Sequence, residues 1–153
     1  ALKYFDTLEL NWNPNMLKYT STRYGKWSQK DLVEGYSDLS KNPQVSYLFK
    51  KYFPEQEIAK VMRAISLSES KGKQVQHYKL NRNGSWDCGF FQTNTIHKNK
   101  GESMQSFCDR MNNNLEANFA MARKIYDERK KMFGDGFTAW SDYNNGKYLT
   151  YLK

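Results

Sequence analysis

Ile58-Ala59-Lys60-Val61-Met62-Arg63-Ala64-Ile65-Ser66-Leu67-Ser68-Glu69-Ser70-Lys71-Gly72 is the stretch that decides the fold. Its apolar residues Ile58, Val61, Met62 and Ile65 recur at offsets 0, +3, +4 and +7, the pattern of a helix with one buried face. The helix is expected to start near Pro54, because proline is tolerated in a first turn whose N–H groups lack partners. Lys71 and Gly72 close it. Continuing the period by four residues puts a carboxylate, Glu69, on the apolar face in the last turn. Burial and the negative end of the helix dipole both raise a carboxyl pKa, which would let Glu69 keep its proton near neutral pH. Taken alone, the pattern also suits an exposed carboxylate in a frayed last turn, offset by Lys71 or Lys73.

After Gly72 the period changes. Val75 to Arg82, Asn83-Gly84 and Ser85 to Gln92 read as a β-hairpin, since Asn-Gly supplies the positive φ angles of a type I′ turn. Its second arm carries Asp87, 18 residues after Glu69. Helix resumes with Asn112 to Asn114 capping a long segment in which Leu115, Phe119, Ala122 and Tyr126 keep the helical period, ending near Gly134. A last helical piece around Thr138 to Asn144 carries Trp140 and Tyr143 and stops at Asn145-Gly146. Upstream, Ser28 with Asp31 forms a capping box for a short helix through Leu32, Val33 and Leu39, and Asn42-Pro43 marks another helix start. The first third carries no motif tied to chemistry, which leaves an extra helical layer or a docking surface.

The 153 residues make one domain's worth of chain, with no repeat or linker between its segments. Lys and Arg number 24 against 16 Asp and Glu, a net charge of +8, which attracts polyanions. The positive residues are scattered, so a nucleic-acid arm finds no support beyond charge. No stretch approaches the roughly 18 apolar residues of a membrane span. Cys88 and Cys108 either pair in an oxidising compartment or stay as two buried thiols. His77 and His97 lie far from any Cys pattern, so neither a metal nor another cofactor is expected. Trp12, Trp27 and Trp86 offer sugar-stacking faces, although a partly buried tryptophan is the default; Trp86, beside Asp87, is the strongest of the three.

Two carboxylates, one at a helix end on an apolar face and one on a hairpin, suit glycoside cleavage, in which one hands a proton to the leaving oxygen and the other stabilises or traps the sugar cation. The flanking residues sharpen this. Ser68-Glu69-Ser70, the run from Asn81 through Trp86-Asp87-Cys88-Gly89-Phe90-Phe91-Gln92-Thr93-Asn94, His97, and Ser141-Asp142-Tyr143-Asn144-Asn145-Gly146 resemble the lysozyme-like lytic transglycosylases. The likeness is nearest to the small specialised members of secretion systems, pili and phage particles. In that family a Glu-Ser ends a helix, a Gly-Leu-Met-Gln-like motif follows, and an Ala-Tyr-Asn-like motif closes the cleft.

The resemblance implies an α+β, lysozyme-like fold, mainly helical, with a small antiparallel hairpin lining the cleft. Residues 1–53 would be a helical extension and 54–153 the catalytic core of a single domain. It implies Glu69 as acid/base and Asp87 as the second carboxylate, with Ser70, Gln92, Asn94, Tyr143 and Asn144 contacting substrate. Gly89 to Gln92 would form one cleft wall, and the Tyr143 hydroxyl would reach the reacting centre. It further implies action on peptidoglycan glycan strands, in the periplasm or cell wall or from a phage particle. The first third would dock an envelope-spanning assembly. Phe90-Phe91 depart from Leu-Met but keep an apolar wall; Ser141-Asp142 replace small residues, and Asp142 brings a second acid near Glu69. A Cys88–Cys108 disulfide would tie the hairpin to the helix that follows. Two other readings remain: a hydrolytic lysozyme using both Glu69 and Asp87, and a catalytically silent docking component that keeps the fold.

Overall fold

A computed structural model describes residues 42–72, 74 and 78–152. The capping box at Ser28 and Asp31, along with Trp12, Trp27 and His77, lies outside the described residues. Helix α1 (Pro43–Tyr52) starts where Asn42-Pro43 predicts, with the Asn42 side chain accepting the Val45 N–H at 3.0 Å. Helix α2 (Gln56–Ser70) follows a two-residue step past Pro54, and Lys71 ends it in the left-handed region at φ +59°. The Lys71 N–H donates to the Leu67 carbonyl and the Gly72 N–H to the Ser66 carbonyl, so the last carbonyls of the helix are satisfied by its own cap.

The hairpin region folds differently from its simplest reading. Strands β1 (Lys79–Leu80), β2 (Trp86–Cys88) and β3 (Thr93–Asn94) form an antiparallel sheet in that order. Leu80 pairs with Trp86, leaving a five-residue loop, Asn81 to Ser85, in place of a two-residue turn. The Asn83 side chain accepts from the backbone and hydroxyl of Ser85 at 3.0 and 2.7 Å. That local Asx bond competes with the type I′ conformation, and Asn83 has no positive φ. The second arm stops at Cys88 because the chain turns back over 89–92 into β3.

Helix α3 (Met104–Asn113), which carries Cys108, is separate from the long helix: α4 (Leu115–Phe133) begins at the predicted cap, Asn114, and ends at Gly134. A 3₁₀ turn over Gly136–Ala139 and a single turn, α5 (Ser141–Asn144), occupy the predicted last helical piece, followed by a 3₁₀ turn over Lys147–Tyr151. The described chain is thus mainly α-helical with one small antiparallel sheet, an α+β arrangement.

Phe49, Phe53, Phe90, Phe91 and Phe119 form the centre of the core, with the Phe91 and Phe119 rings 4.8 Å apart, edge to face. Such ring pairs add to the burial of their apolar area. Phe49 and Phe53 come from α1 and its cap, so the 43–53 part of the expected extension belongs to this core. The disulfide Cys88–Cys108 joins β2 to α3 inside it.

Candidate functional site

The turn 89–92 is a loop inside the core, where buried backbone polar groups need partners. The Phe90 N–H donates to Gln74 Oε1 and the Phe91 N–H to Asn118 Oδ1, at 2.9 and 3.0 Å. The Phe90 carbonyl accepts from the Ser70 hydroxyl at 2.6 Å, and the Phe91 carbonyl from the Trp140 indole at 2.9 Å. Asn118 also donates to the Cys88 carbonyl at 3.2 Å. Gly89 takes φ +77°, and a Cβ there would collide with the Asn118 amide. Gln92 takes the left-handed φ of +52°, a strained choice for a residue with a side chain.

This turn aims Gln92 at a cleft of about 560 Å³, within the usual size of a ligand site. Glu69, Asn81, Asp87, Gln92, Asn94 and Trp140 face it, joined by Arg82, His97, Arg129 and Ser141. Two of these positions follow from the sheet. Lys79 lies opposite Asp87, and Asp87 opposite Asn94, so these three side chains share one face of the sheet.

Glu69 occupies the last turn of α2, and burial pushes its carboxyl pKa up to about 8, helped by the negative charges of Asp142 and Asp87 and opposed by Lys79. Its Oε2 accepts a long hydrogen bond, 3.4 Å, from the Asp142 N–H. Asp87 is also raised by burial, against the pull of hydrogen bonds from the Asn94 and Asn81 side chains; the Asn94 bond measures 2.8 Å. Gln92 is 5% exposed and donates to the Gly89 carbonyl at 2.9 Å, and its Oε1 is buried without a donor among the described residues. An unsatisfied buried acceptor costs about 1–3 kcal/mol. His97 sits on the cleft wall, its pKa lowered by burial.

Glu69, Asp87, Gln92 and Asn94 therefore meet in one cleft. Three other residues expected there do not. Ser70 is 0% exposed and donates its hydroxyl proton to the Phe90 carbonyl, so it latches α2 to the buried turn and does not face the cleft. The Tyr143 hydroxyl donates to Asp135 at 2.9 Å, and burial, helped by this bond, pushes its pKa up to about 12. Asn144 is exposed and donates to the Thr138 carbonyl at 2.9 Å. The cause is angular. In the single turn of α5, successive residues point about 100° apart, so with the backbone of Asp142 against Glu69 the Tyr143 ring packs on Phe137 and Tyr148, at 5.2 and 4.9 Å.

The aromatic residues shift as well. Phe90 and Phe91 fill the core and form no cleft wall, and Trp86 is buried in a parallel stack on Tyr78 with centroids 3.9 Å apart, closed to sugars. Trp140 and Arg129 are cleft residues to which the sequence alone assigns no role, and Asn81 and Ser141, which open two of the quoted motifs, line the cleft too. For Trp140 a signal existed, since it directly precedes the quoted Ser141-Asp142-Tyr143-Asn144 motif. Among the described residues, no group of three or more His, Cys, Asp or Glu could hold a metal ion, and no helix is long and apolar enough to cross a membrane.

Set against known protein families, curated proteins and solved structures, the chain matches none of them.

Proposed function

We propose that this protein is a glycosidase of the lysozyme type that cleaves the glycan strands of peptidoglycan, acting as a lytic transglycosylase. The observation that carries the reading is the Glu69 carboxyl, held in its acid form at neutral pH by burial in a cleft lined with amide side chains. General acid catalysis needs a donor whose pKa lies near the working pH. The helix-end acid, the sheet bearing Asp87 and the three quoted motifs support a lysozyme-like arrangement, with the sheet as one lip of the cleft.

In the proposed reaction the Glu69 proton passes to the glycosidic oxygen between N-acetylmuramic acid and N-acetylglucosamine, and the bond from that oxygen to the muramyl anomeric carbon breaks. The C6 hydroxyl of the same muramyl residue closes onto the anomeric carbon and returns its proton to Glu69. The product is a 1,6-anhydro sugar, with no water consumed. Asn94 and Gln92 would bind the sugar's acetamido and hydroxyl groups.

Hydrolysis with Asp87 as nucleophile is the second reading, favoured by its place in the same cleft. Its carboxylate is tied to the Asn94 amide at 2.8 Å, a bond that withdraws charge from an attacking oxygen, so the single-acid route is preferred. The net charge of +8 suits an anionic wall as substrate. The setting we propose is the periplasm, the cell wall or a phage particle, where the first third could dock an envelope-spanning assembly. Solubilisation of dye-labelled sacculi tests the reading. Wild-type protein should release dye and Glu69→Gln should not; equal release by both would remove Glu69 from the chemistry, and release by neither would leave a silent docking component.

A further inference from the structure

Ser68 and Asp142 make a contact that the reaction as written does not use. The Ser68 hydroxyl donates to Asp142 Oδ2 at 2.5 Å, across the packing of α2 against α5. Ser68 immediately precedes Glu69, and the backbone N–H of Asp142 points at Glu69 Oε2. Anchor, acid and bridging residue thus form one closed unit over two turns of helix.

We propose that Asp142, anchored by Ser68, is the positioning residue of this site: it aims the Glu69 carboxyl along the cleft and sets a second negative charge beside it. This inference rests on the reading of Glu69 as proton donor. An asparagine at 142 would accept the same bond from Ser68 and present the same backbone N–H. A carboxylate in that place adds only one thing, a negative charge beside a second carboxyl. For a purely structural clasp this charge is a disadvantage, because like charges close together repel. For an acid that must stay protonated it is the useful part.

The surroundings leave that charge effective. Glu69 is faced by Asp142 from α5, by Asp87 from β2 and by Lys79 from β1. Arg82 of the hairpin loop, His97 and Arg129 of α4 line the same cleft, and on its own helix Lys71 follows in the cap. Lys79 and the Asp142 N–H favour the anion, while burial, Asp142 and Asp87 favour the acid. Asp87 is held by Asn94 and Asn81; Asp142 is the neighbour whose charge is clamped to the residue adjoining Glu69.

The test is a carboxyl-carbon NMR titration of Glu69 in full-length wild type, Asp142→Asn and Ser68→Ala, alongside the pH profile of glycan release. Asp142→Asn should lower the Glu69 midpoint by about one pH unit, the size expected for removal of an adjacent like charge. At pH 8, where the wild-type group is half protonated, that change cuts the acid form, and with it the rate, about fivefold. Ser68→Ala should shift the midpoint in the same direction by less, and it decides the matter if Asp142→Asn does not fold. An unmoved midpoint in folded variants overturns the role given to Asp142, even where wild type degrades glycan. Wild type inert toward glycan, with the midpoint still lowered by Asp142→Asn, defeats the functional reading and leaves the Asp142–Glu69 coupling standing.

Discussion

Replacing Glu69 by glutamine should make the protein progressively more stable than wild type as pH rises. The Glu69 carboxyl has a pKa of 4.5 in the unfolded chain and about 8 in the folded one. Between those values the folded state holds a proton that the unfolded state has lost, so wild-type stability falls as pH increases. The contribution of Glu69 is fully present below about 4.5, declines above it, and is gone above about 8. At about 1.4 kcal/mol for each pH unit between the two values, the whole loss amounts to about 5 kcal/mol, with about 3 kcal/mol of it already gone at neutral pH. That is a large share of the 5–15 kcal/mol typical of a folded domain. Glutamine has no proton to lose and keeps a similar shape. Asp87 drives a decline of the same sign, but it is present in both proteins and drops out of the comparison. Urea unfolding of both proteins across pH 4.5 to 8 reads the effect directly. The stability difference, variant minus wild type, should grow by about 4 kcal/mol over that range, the rest of the loss falling just outside it. A difference that stays constant with pH would refute the claim that burial holds Glu69 in its acid form.

Asn118→Leu orphans the Phe91 N–H and removes donors to the Cys88 and Met111 carbonyls, which should cost about 3 kcal/mol; chemical denaturation checks it, and a loss under 1 kcal/mol would deny Asn118 its place as the support of the turn. Gly89→Ala combines a φ of +77° with a Cβ 2.5 Å from the Met111 carbonyl oxygen, and should lower stability by about 3 kcal/mol, with a matching drop in melting temperature. Removing the Cys88–Cys108 bond as a double alanine variant opens a loop of 20 residues, expected to cost about 3 kcal/mol and to loosen the β2 side of the cleft; unchanged melting and unchanged glycan release would contradict it.

The parts of this fold that a sequence reveals are those fixed by local rules. Asn42-Pro43 and Asn114 are capping signals that work through bonds to their own helices, so α1 and α4 start where the residues say. Glu69 was legible because the helical period carries past Ile65 to the last turn. The turn 89–92 was not, because its partners Gln74, Asn118 and Trp140 lie far along the chain. Asn118 in the middle of a helix looks like any surface amide until the buried turn that it satisfies is seen. The hairpin was right as to place and wrong as to loop, since the Asx bond of Asn83 outcompeted the type I′ geometry. Tyr143 and Asn144 were assigned from a motif whose orientation depends on one short turn; a shift of about 100° per residue sends each to another partner.

The central claim is that one carboxyl, Glu69, performs both proton transfers. The most direct measurement is mass spectrometry of the soluble fragments released from purified sacculi in heavy-oxygen water, by wild type and by Glu69→Gln. Anhydro-muramyl ends without solvent oxygen, made by wild type and absent with Glu69→Gln, are the predicted result. Reducing muramyl ends carrying the heavy oxygen would contradict it and bring Asp87 and water into the reaction.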